Sequence, residues 1–389
     1  MSQRTLFEAE TAGEDKITPE ISNPTSTPIS TEVSSTSVPE NAIPDRPLSC
    51  DENTTSIQKI NPPADANSKQ SKPRILYCGY MKAPFAQQDK EYLSREYPVE
   101  GIDLSQMAAT FRQVPAYLVK CFTDILPAVL RNDIIWIWFL DYPAVPFIVL
   151  AKLFGKKTVI CHGGAELFPP NKFGYGFQNK RFRGDVSKWL ARNADMNIVM
   201  SKAYGEIVLR AVPEIKVYVI PGCVDVSLYK PNYKRKEELA VTAYCDYNMS
   251  RELKGIPVFE SAQKQSRIKM ETLFQRPHRE MIAAFLRAKV YCQLSYTEQF
   301  GMSLLEAMAC GCVPVITNRG GMPEMVGNCG IIVQYGDVSE TVHAISVAVH
   351  MDGERARKRA AEFTVEKKIL HMKEVIRMVT CAGKRKRRE

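Results

Sequence analysis

The sequence has no long uninterrupted apolar run. Its most apolar stretch, residues 133–155, is broken by Asp141, Pro143 and Pro146, whereas a helix that crosses a bilayer needs about 20 consecutive apolar residues. We therefore expect a buried strand, a turn and a helix in this stretch. The amino-terminal residues MSQRTLFEAE have no apolar core either, which argues against a secretory signal. We expect a cytoplasmic protein.

The 11 cysteines are not arranged with the paired spacing of a zinc site. Cys310 and Cys312 form C-x-C, and no second pair lies nearby in the sequence. This pattern favours reduced, mostly buried thiols over disulfides or zinc ligands. The sequence shows no other metal-ligand spacing and no recognisable nucleophile–base pair. We expect neither a metal nor another bound cofactor.

Charge is unevenly distributed along the chain. Residues 1–72 contain 6 Lys and Arg against 11 Asp and Glu, and the remainder contains 46 against 32. Apolar residues are sparse in the Ser-, Thr- and Pro-rich first segment, so we predict that it is disordered. The basic remainder suits an anionic ligand or an anionic membrane surface.

The carboxyl terminus offers one route to a membrane. Residues 365–379 form a predicted amphipathic helix, and the chain then ends in KRKRRE. Together they suggest peripheral contact with the inner face of the cell membrane, although a terminal charge run is more commonly just solvated. We expect no nucleic acid partner, because no recognition fold accompanies the charge.

From residue 73 onward, short apolar strands alternate with helices. Alternation of helices with continuously apolar strands predicts parallel sheets covered on both faces. The pattern restarts near residues 221–231, so we predict two α/β units with a ligand cleft between them. The predicted segments are a tail at 1–72, a first unit at 73–221, a second unit at 222–364, and a helix with a basic tail at 365–389. The second unit includes one weakly predicted strand at 269–274.

Residues 298–306 read EQFGMSLLE and place two glutamates eight positions apart. The preceding predicted strand should deliver the loop around Glu298 to the cleft, and a helix should begin near Met302. Gly301 would allow a ligand to approach the backbone closely. The first N–H groups of the helix suit phosphate, and the two carboxylates suit sugar hydroxyls. Glu306, about one turn into the helix, could hold a vicinal diol.

A purely structural interpretation of the same stretch is also open. Ser303 and Glu306 have the S-x-x-E spacing of a capping box, which needs no ligand. Glu298 would then be a solvated loop residue.

The wider context of this stretch favours a ligand site. E-x-F-G-x-x-x-x-E, preceded by VYCQLS and followed by EAMACGCVPVITNRGGMPEMV, closely resembles the donor-binding segment of glycosyltransferase family 4. These are retaining enzymes with the GT-B fold, in which two Rossmann-like domains face each other across a cleft. Looser similarity to archaeal and bacterial members occurs at residues 83–99, 154–176, 193–203 and 220–231.

The resemblance implies roles for residues on both sides of the cleft. Glu306 would hold the ribose hydroxyls of a nucleotide, Glu298 would contact the donor sugar, and Lys254 would neutralise the departing diphosphate. The residues implied in catalysis are His162, Arg251, Lys254 and Glu298. Those implied in donor binding are Glu298, Phe300, Gly301, Met302, Ser303, Leu304 and Glu306. Those implied on the acceptor side are Gly79, Gly163 and Gly164. The family generally needs no divalent metal.

One departure from the family pattern concerns the second unit. Only 43 residues separate Lys254 from Glu298, which is fewer than the family normally has, so we predict a second sheet one strand short. Our main hypothesis is a retaining transferase that moves a sugar from a nucleotide-sugar to a lipid-linked, glycan or other hydroxyl acceptor. The alternative is a degenerate, non-catalytic homologue that serves in binding or scaffolding. A basic nucleic-acid-binding protein is a third, weaker hypothesis.

Overall fold

The computed structural model describes residues 71–107, 119–245 and 251–385. The predicted disordered tail, apart from its last two residues, lies outside these ranges, as do the last four residues of the basic carboxyl terminus. The structure therefore does not bear on those two predictions.

The first sheet contains six parallel strands in the order β2-β1-β3-β4-β5-β6. These strands are β1 (Ile75–Gly79), β2 (Val99–Asp103), β3 (Ile134–Trp138), β4 (Lys157–Cys161), β5 (Met196–Val199) and β6 (Val217–Val219). Every residue of β1 and β3 is buried, which explains their continuous apolar sequences, since both faces of a parallel sheet are covered by helices.

The helices of the first sheet lie in two layers. One layer packs with the apolar cluster around Ile135 and Ile160, and the other with the cluster around Trp136 and Val159. The first layer consists of α2 (Leu126–Arg131), α3 (Val145–Leu153), α4 (Arg181–Asn193) and α5 (Lys202–Ala211). The second consists of α1 (Pro84–Ser94) and α12 (Val365–Arg385). We call this sheet with its two layers the first lobe.

The second sheet contains five parallel strands in the order β11-β10-β9-β7-β8. They are β7 (Glu237–Tyr244), β8 (Lys269–Phe274), β9 (Ala288–Gln293), β10 (Val313–Thr317) and β11 (Ile331–Val333). Its helices are α6 (Ile256–Gln265), α7 (His278–Arg287), α8 (Met302–Ala309), α9 (Met322–Val326), α10 (Val338–Ala348) and α11 (Gly353–Ala360). We call these elements the second lobe.

The prediction of a second sheet one strand short is confirmed, because the second sheet has five strands and the first has six. The weakly predicted strand is the edge strand β8, and only the short turn 275–277 separates it from α7. The chain therefore passes from β8 through α7 directly into β9, without a further strand on that edge.

The carboxyl-terminal helix α12 returns from the second lobe to the first. Its apolar residues Met372, Val375, Ile376 and Val379 are buried in the cluster around Trp136. The first lobe covers this apolar face, so the face cannot contribute to the predicted membrane contact. The end of the basic tail, the other part of that prediction, lies outside the described residues. The helix also runs to Arg385, six residues beyond the predicted end.

A buried ion pair fixes α12 to α1. Lys368 Nζ lies 2.5 Å from Asp89 Oδ1, with 8% and 3% of the two side chains exposed. Burial raises the pKa of Asp89, and the ammonium group of Lys368 lowers it in part. Removal of one partner would leave the other charge buried without compensation, which is far more costly than the loss of a surface pair.

We expect Lys368→Met to lower the free energy of unfolding by about 3–5 kcal/mol, because Asp89 is left buried and unpaired. The double variant Lys368→Met/Asp89→Leu should recover most of this loss. Lys373→Met is the matched control on the same helix, because Lys373 pairs with the partly exposed Glu96 and should cost less than about 1 kcal/mol. Urea unfolding of the four proteins measures these differences. Equal losses for the two single variants would contradict the prediction.

Candidate functional site

The EQFGMSLLE stretch forms a loop and the first part of α8 at the carboxyl end of β9. Gly301 has φ +96° and occupies the N-cap position of α8, and no side chain among the described residues caps the helix. The capping-box interpretation is therefore wrong, since it requires Ser303 at that position and Ser303 lies inside the first turn. The first N–H groups of α8 belong to a helix end that a ligand could complete.

Lys254 and Glu298 meet at this edge of the sheet. Lys254 Nζ lies 2.7 Å from Glu298 Oε2, and the two side chains are 15% and 18% exposed. The contact depends on Gly255, which has φ +70°, because an added Cβ there would lie 2.0 Å from the carbonyl oxygen of Leu294. Two residues predicted to act on the same donor are thus neighbours, and each neutralises the other.

Glu306 makes a side-chain contact that the sequence did not predict. His278, the first residue of α7, places its Nε2 atom 3.0 Å from Glu306 Oε1. The Glu306 side chain is 13% exposed, whereas His278 is 46% exposed. The direct passage from β8 into α7 brings His278 to this position. The only sequence signal was a histidine directly after the short turn before α7.

The apolar residues of the motif contribute packing rather than polar contacts. Phe300 is 4% exposed and Leu304 is fully buried. The Phe300 ring packs edge-to-face on Phe363 at 5.6 Å and fills the space beside Gly222, where an added Cβ would lie 2.6 Å from the ring. Any donor contact of these two residues must therefore come from their backbone, whereas Met302 and Ser303 are half-buried.

His162 does not face the cleft, contrary to the prediction. Its ring is fully buried, and Nε2 donates a hydrogen bond to Asn197 Oδ1 at 3.0 Å. Its Nδ1 atom is buried and has no hydrogen-bond partner among the residues that the structure describes. Burial lowers the pKa of His162 to about 4, although the bond to Asn197 raises it in part. The ring is therefore neutral at pH 7.

The predicted glycines of the acceptor side fall into two groups. Gly79, which was predicted on the acceptor side, is buried beside Trp138 at the end of β1 and offers no exposed backbone to an acceptor. Gly163 is exposed, and Gly164 (φ +108°) approaches Gln299 of the donor loop so closely that an added Cβ would lie 3.1 Å from its Cβ. These two glycines lie at the boundary between the lobes.

A buried carboxylate that the sequence did not predict holds this glycine pair. Glu166 is fully buried, and its two carboxylate oxygens accept from the N–H groups of Gly163 and Gly164, each at 2.8 Å. Burial raises the pKa of Glu166, and these backbone hydrogen bonds lower it in part. Glu166 therefore positions the glycine backbone without facing the cleft itself.

Arg251 is not part of the pair at the donor loop. Its guanidinium is about half exposed and forms an ion pair with Glu260 on α6. The predicted grouping of Arg251 with Lys254 at a diphosphate is therefore not formed in this arrangement.

A glutamate and an aromatic cluster join the two lobes. Glu324 of α9 accepts from the backbone N–H groups of Lys202 (3.0 Å) and Ala203 (2.7 Å) at the start of α5. Phe173 of the first lobe packs on Tyr296 of the donor loop, with ring centroids 4.9 Å apart. These contacts bring the carboxyl-terminal edges of the two sheets together around the donor loop.

The described residues contain no group of three or more His, Cys, Asp or Glu side chains placed to hold a metal ion. No helix in the described ranges is both long enough and apolar enough to cross a membrane.

Comparison with solved structures defines the fold class. Sucrose-phosphate synthase from Thermosynechococcus elongatus superimposes with a TM-score of 0.61 at 17% identity, over 80% of this chain and 100% of that chain. The Anabaena protein HepE in complex with UDP-glucose gives a TM-score of 0.62 at 16% identity, over 79% and 100%. At these identities the likeness shows the fold alone, which is the two-sheet GT-B architecture.

Comparison of sequences finds a family similarity in part of the second lobe. The family model "Glycosyl transferases group 1" matches residues 259–364, a range that contains both glutamates of the motif. This segment is therefore similar to the glycosyl transferases group 1 family.

Curated relatives match over similar short segments. D-inositol 3-phosphate glycosyltransferase of Corynebacterium jeikeium is 36% identical over 100 residues, 24% of this chain and 24% of the relative. A phosphatidylinositol N-acetylglucosaminyltransferase component of Arabidopsis thaliana is 24% identical over 163 residues, 34% and 36% of the two chains. The chain thus spans about a quarter and about a third of the length of these relatives. A bacterium and a plant are both represented, so the predicted archaeal and bacterial type is not supported.

The buried state of His162 predicts a loss of stability in acid. The pKa is about 4 in the folded chain against 6.5 for an ordinary histidine, so the unfolded chain binds this proton first as the pH falls. The corresponding stability is present above about pH 6.5 and is lost towards pH 4, by up to about 3 kcal/mol. We expect His162→Gln to show a correspondingly shallower decline in the free energy of unfolding between pH 7 and pH 4.5. Parallel declines in the two proteins would contradict this origin of the acid sensitivity.

The contact of Glu324 with α5 predicts a measurable stabilisation across the lobes. We expect Glu324→Ala to lower the free energy of unfolding by about 1–2 kcal/mol, because two N–H groups at a helix start lose a charged acceptor. Glu206→Ala is the control, since Glu206 forms a surface pair with Arg210 and should cost about 0.5 kcal/mol or less. Chemical unfolding of both variants is the measurement, and indistinguishable losses would refute the role of the contact.

Proposed function

We propose that the protein is a retaining glycosyltransferase that transfers a sugar from a nucleotide-sugar donor to a hydroxyl acceptor. The observation that carries the proposal is the convergence of Lys254, Glu298 and the start of α8 at one edge of the second sheet. Cationic, anionic and N–H groups in one small region match a ligand that contains both a diphosphate and sugar hydroxyls. The similarity of residues 259–364 to a glycosyltransferase family supports the same conclusion.

The donor would lie along α8. Its diphosphate would accept hydrogen bonds from the first N–H groups of the helix, which Gly301 leaves open to close approach. Glu306 would accept from the ribose hydroxyls after its contact with His278 is exchanged for the ligand. Glu298 would accept from hydroxyls of the donor sugar.

Lys254 would act on the leaving group. When the bond between the anomeric carbon and the diphosphate breaks, negative charge develops on the diphosphate. An ammonium group already held at the site lowers the free energy of that transition state more than that of the bound donor. Lys254 would therefore move from Glu298 to the diphosphate, and Glu298 would become free for the sugar.

The acceptor would approach from the first lobe. Gly163 is exposed and Gly164 adjoins Gln299 of the donor loop, so an acceptor hydroxyl there would face the donor sugar. The proposed acceptor is lipid-linked, a glycan or another hydroxyl compound.

We also propose that residues 73–221 form the acceptor domain and residues 222–364 the donor domain.

One observation favours a second candidate function, a binding protein without catalysis. In the described chain the two carboxylates of the motif are already paired, Glu298 with Lys254 and Glu306 with His278. The second sheet also has one strand fewer than the first. Such a protein would bind no nucleotide, or would bind one without turnover.

The test is a calorimetric titration of UDP, GDP and ADP into the full chain. UDP comes first because a solved neighbour is described in complex with UDP-glucose. We expect one nucleotide to bind saturably, and Glu306→Ala and Lys254→Ala each to weaken it by about tenfold or more, which is about 1.4 kcal/mol. Glu280→Ala is the control, since Glu280 is exposed on α7 and pairs with Arg276 at 3.4 Å.

Three outcomes decide between the functions. Binding that both site variants weaken, together with sugar transfer or donor hydrolysis, establishes the transferase. Binding without any turnover supports the non-catalytic binding protein. If no nucleotide binds, or if the site variants bind like the control, the proposed donor site is wrong.

A further inference from the structure

The outer side of the first lobe carries an unusual share of exposed hydrophobic residues. Of the fourteen large hydrophobic side chains that are exposed among the described residues, nine lie within 119–189. The nine are Val119, Phe122, Leu130, Tyr142, Val149, Leu153, Phe154, Phe182 and Trp189. Three of them are more than 70% exposed: Phe122, Leu153 and Phe182. Single exposed hydrophobic residues are normal, but a concentration of this kind marks an interaction surface.

These side chains belong to neighbouring elements that form one face. α2, α3 and α4 pack on the same side of the first sheet, and polar contacts join their outer edges. Lys156 Nζ donates to the carbonyl oxygen of Leu130 at 2.8 Å, and Lys152 at the end of α3 contacts Asn193 at the end of α4. We call the exposed side of the helical segment 119–125, which leads into α2, and of these three helices the outer face.

The exposed aromatic residues of α4 lie on one side of that helix, and one of them contacts the turn before α3. Phe182 and Trp189 lie seven residues apart on α4, which is two helical turns, and both point away from the buried Leu190 side. The ring of Phe182 stacks on Tyr142 at 5.7 Å. The outer face thus carries aromatic groups on α4 and before α3, and aliphatic groups on α3.

The charge on the outer face is strongly basic. Residues 119–131, 145–157 and 177–193 contain ten Lys and Arg against two Asp and Glu. Three of these cations pair with acids outside the ranges, Arg131 with Glu100, Lys157 with Asp195 and Arg183 with Asp141, which leaves a net charge of +5. Exposed basic side chains adjoin the hydrophobic ones: Arg131, Lys152, Lys180, Arg181 and Arg192. A surface that combines protruding apolar and aromatic groups with cations, and few anions, complements the headgroup region of an anionic bilayer.

We propose that the outer face docks the protein on an anionic phospholipid surface. The apolar side chains of Leu153, Phe154 and Phe182 enter the headgroup boundary, and the surrounding Lys and Arg groups contact lipid phosphates. The amphipathic α12 does not serve this role, because its apolar residues are buried against the first sheet. The inference does not depend on the proposed transferase activity, since membrane binding is measured without any sugar donor.

Co-sedimentation with lipid vesicles tests the proposal on the full chain. We expect binding to phosphatidylcholine vesicles that contain about 30% phosphatidylserine, weaker binding to pure phosphatidylcholine, and a decline with added salt. Leu153→Ser/Phe182→Ser should lower the partition coefficient about tenfold or more, because the apolar groups that enter the bilayer are lost. Val347→Ser/Leu370→Ser is the matched control, since both residues are exposed elsewhere, and it should bind within about twofold of wild type.

Reversal of three positive charges on α4 is an independent test of the same proposal. Arg181→Glu/Lys188→Glu/Arg192→Glu changes the charge of α4 by six units and should lower the partition coefficient by about a hundredfold, at about 1 kcal/mol for each lost cation. The control Lys234→Glu/Lys264→Glu/Arg267→Glu makes the same change on the second lobe, at exposed positions. It should retain most of the binding.

The proposal is overturned if the wild-type protein does not bind anionic vesicles, or if both outer-face variants bind as wild type does. It is also overturned if the serine variant changes the chain from dimer to monomer without any effect on vesicle binding, because a second copy then covers the face. Circular dichroism and thermal unfolding confirm that each variant is folded, and the substitutions are at exposed or half-buried surface positions where folding should persist.

Discussion

The candidate site depends on the close approach of three backbone segments at the carboxyl edge of the second sheet. An added Cβ at Gly255 would lie 2.0 Å from the carbonyl oxygen of Leu294, and one at Gly320 would lie 2.1 Å from that of Glu298. Any larger residue at either position would force the segments apart. The 2.7 Å contact between Lys254 and Glu298 would then be lost, and with it the grouping of charge that the proposed function requires.

Most of the fold, and part of the site, could be predicted from the sequence. Buried parallel strands have continuous apolar sequences, so strands such as β1 and β3 could be predicted directly. The edge strand β8 (KMETLF) has only two buried residues and gave a weaker signal. The meeting of Lys254 with Glu298 follows from two loops at the same edge of one sheet. The contacts of His162 and His278 could not be predicted, because their partners are distant in sequence. His162 contacts Asn197 on a neighbouring strand, and His278 contacts Glu306, which lies 28 positions further along the chain.

The first lobe contacts the second lobe and also carries the outer face. α12 returns to it through the buried pair of Lys368 and Asp89, and Glu324 of the second lobe caps α5. These contacts hold the edges of the two sheets together around the donor loop. The outer face of the same lobe carries the basic and apolar side chains that we assign to a membrane surface. The proposed acceptor side and the membrane face would thus belong to one lobe, as a lipid-linked acceptor would require.

The most direct test of the central claim is a crystal structure of the chain with bound nucleoside diphosphate. The account predicts that Lys254 Nζ leaves Glu298 and lies within hydrogen-bond distance, about 2.7–2.9 Å, of a diphosphate oxygen. It also predicts that Glu306 exchanges His278 for the ribose hydroxyls, with the diphosphate at the start of α8. A nucleotide bound elsewhere, with Lys254 still on Glu298 and His278 still on Glu306, would contradict the account.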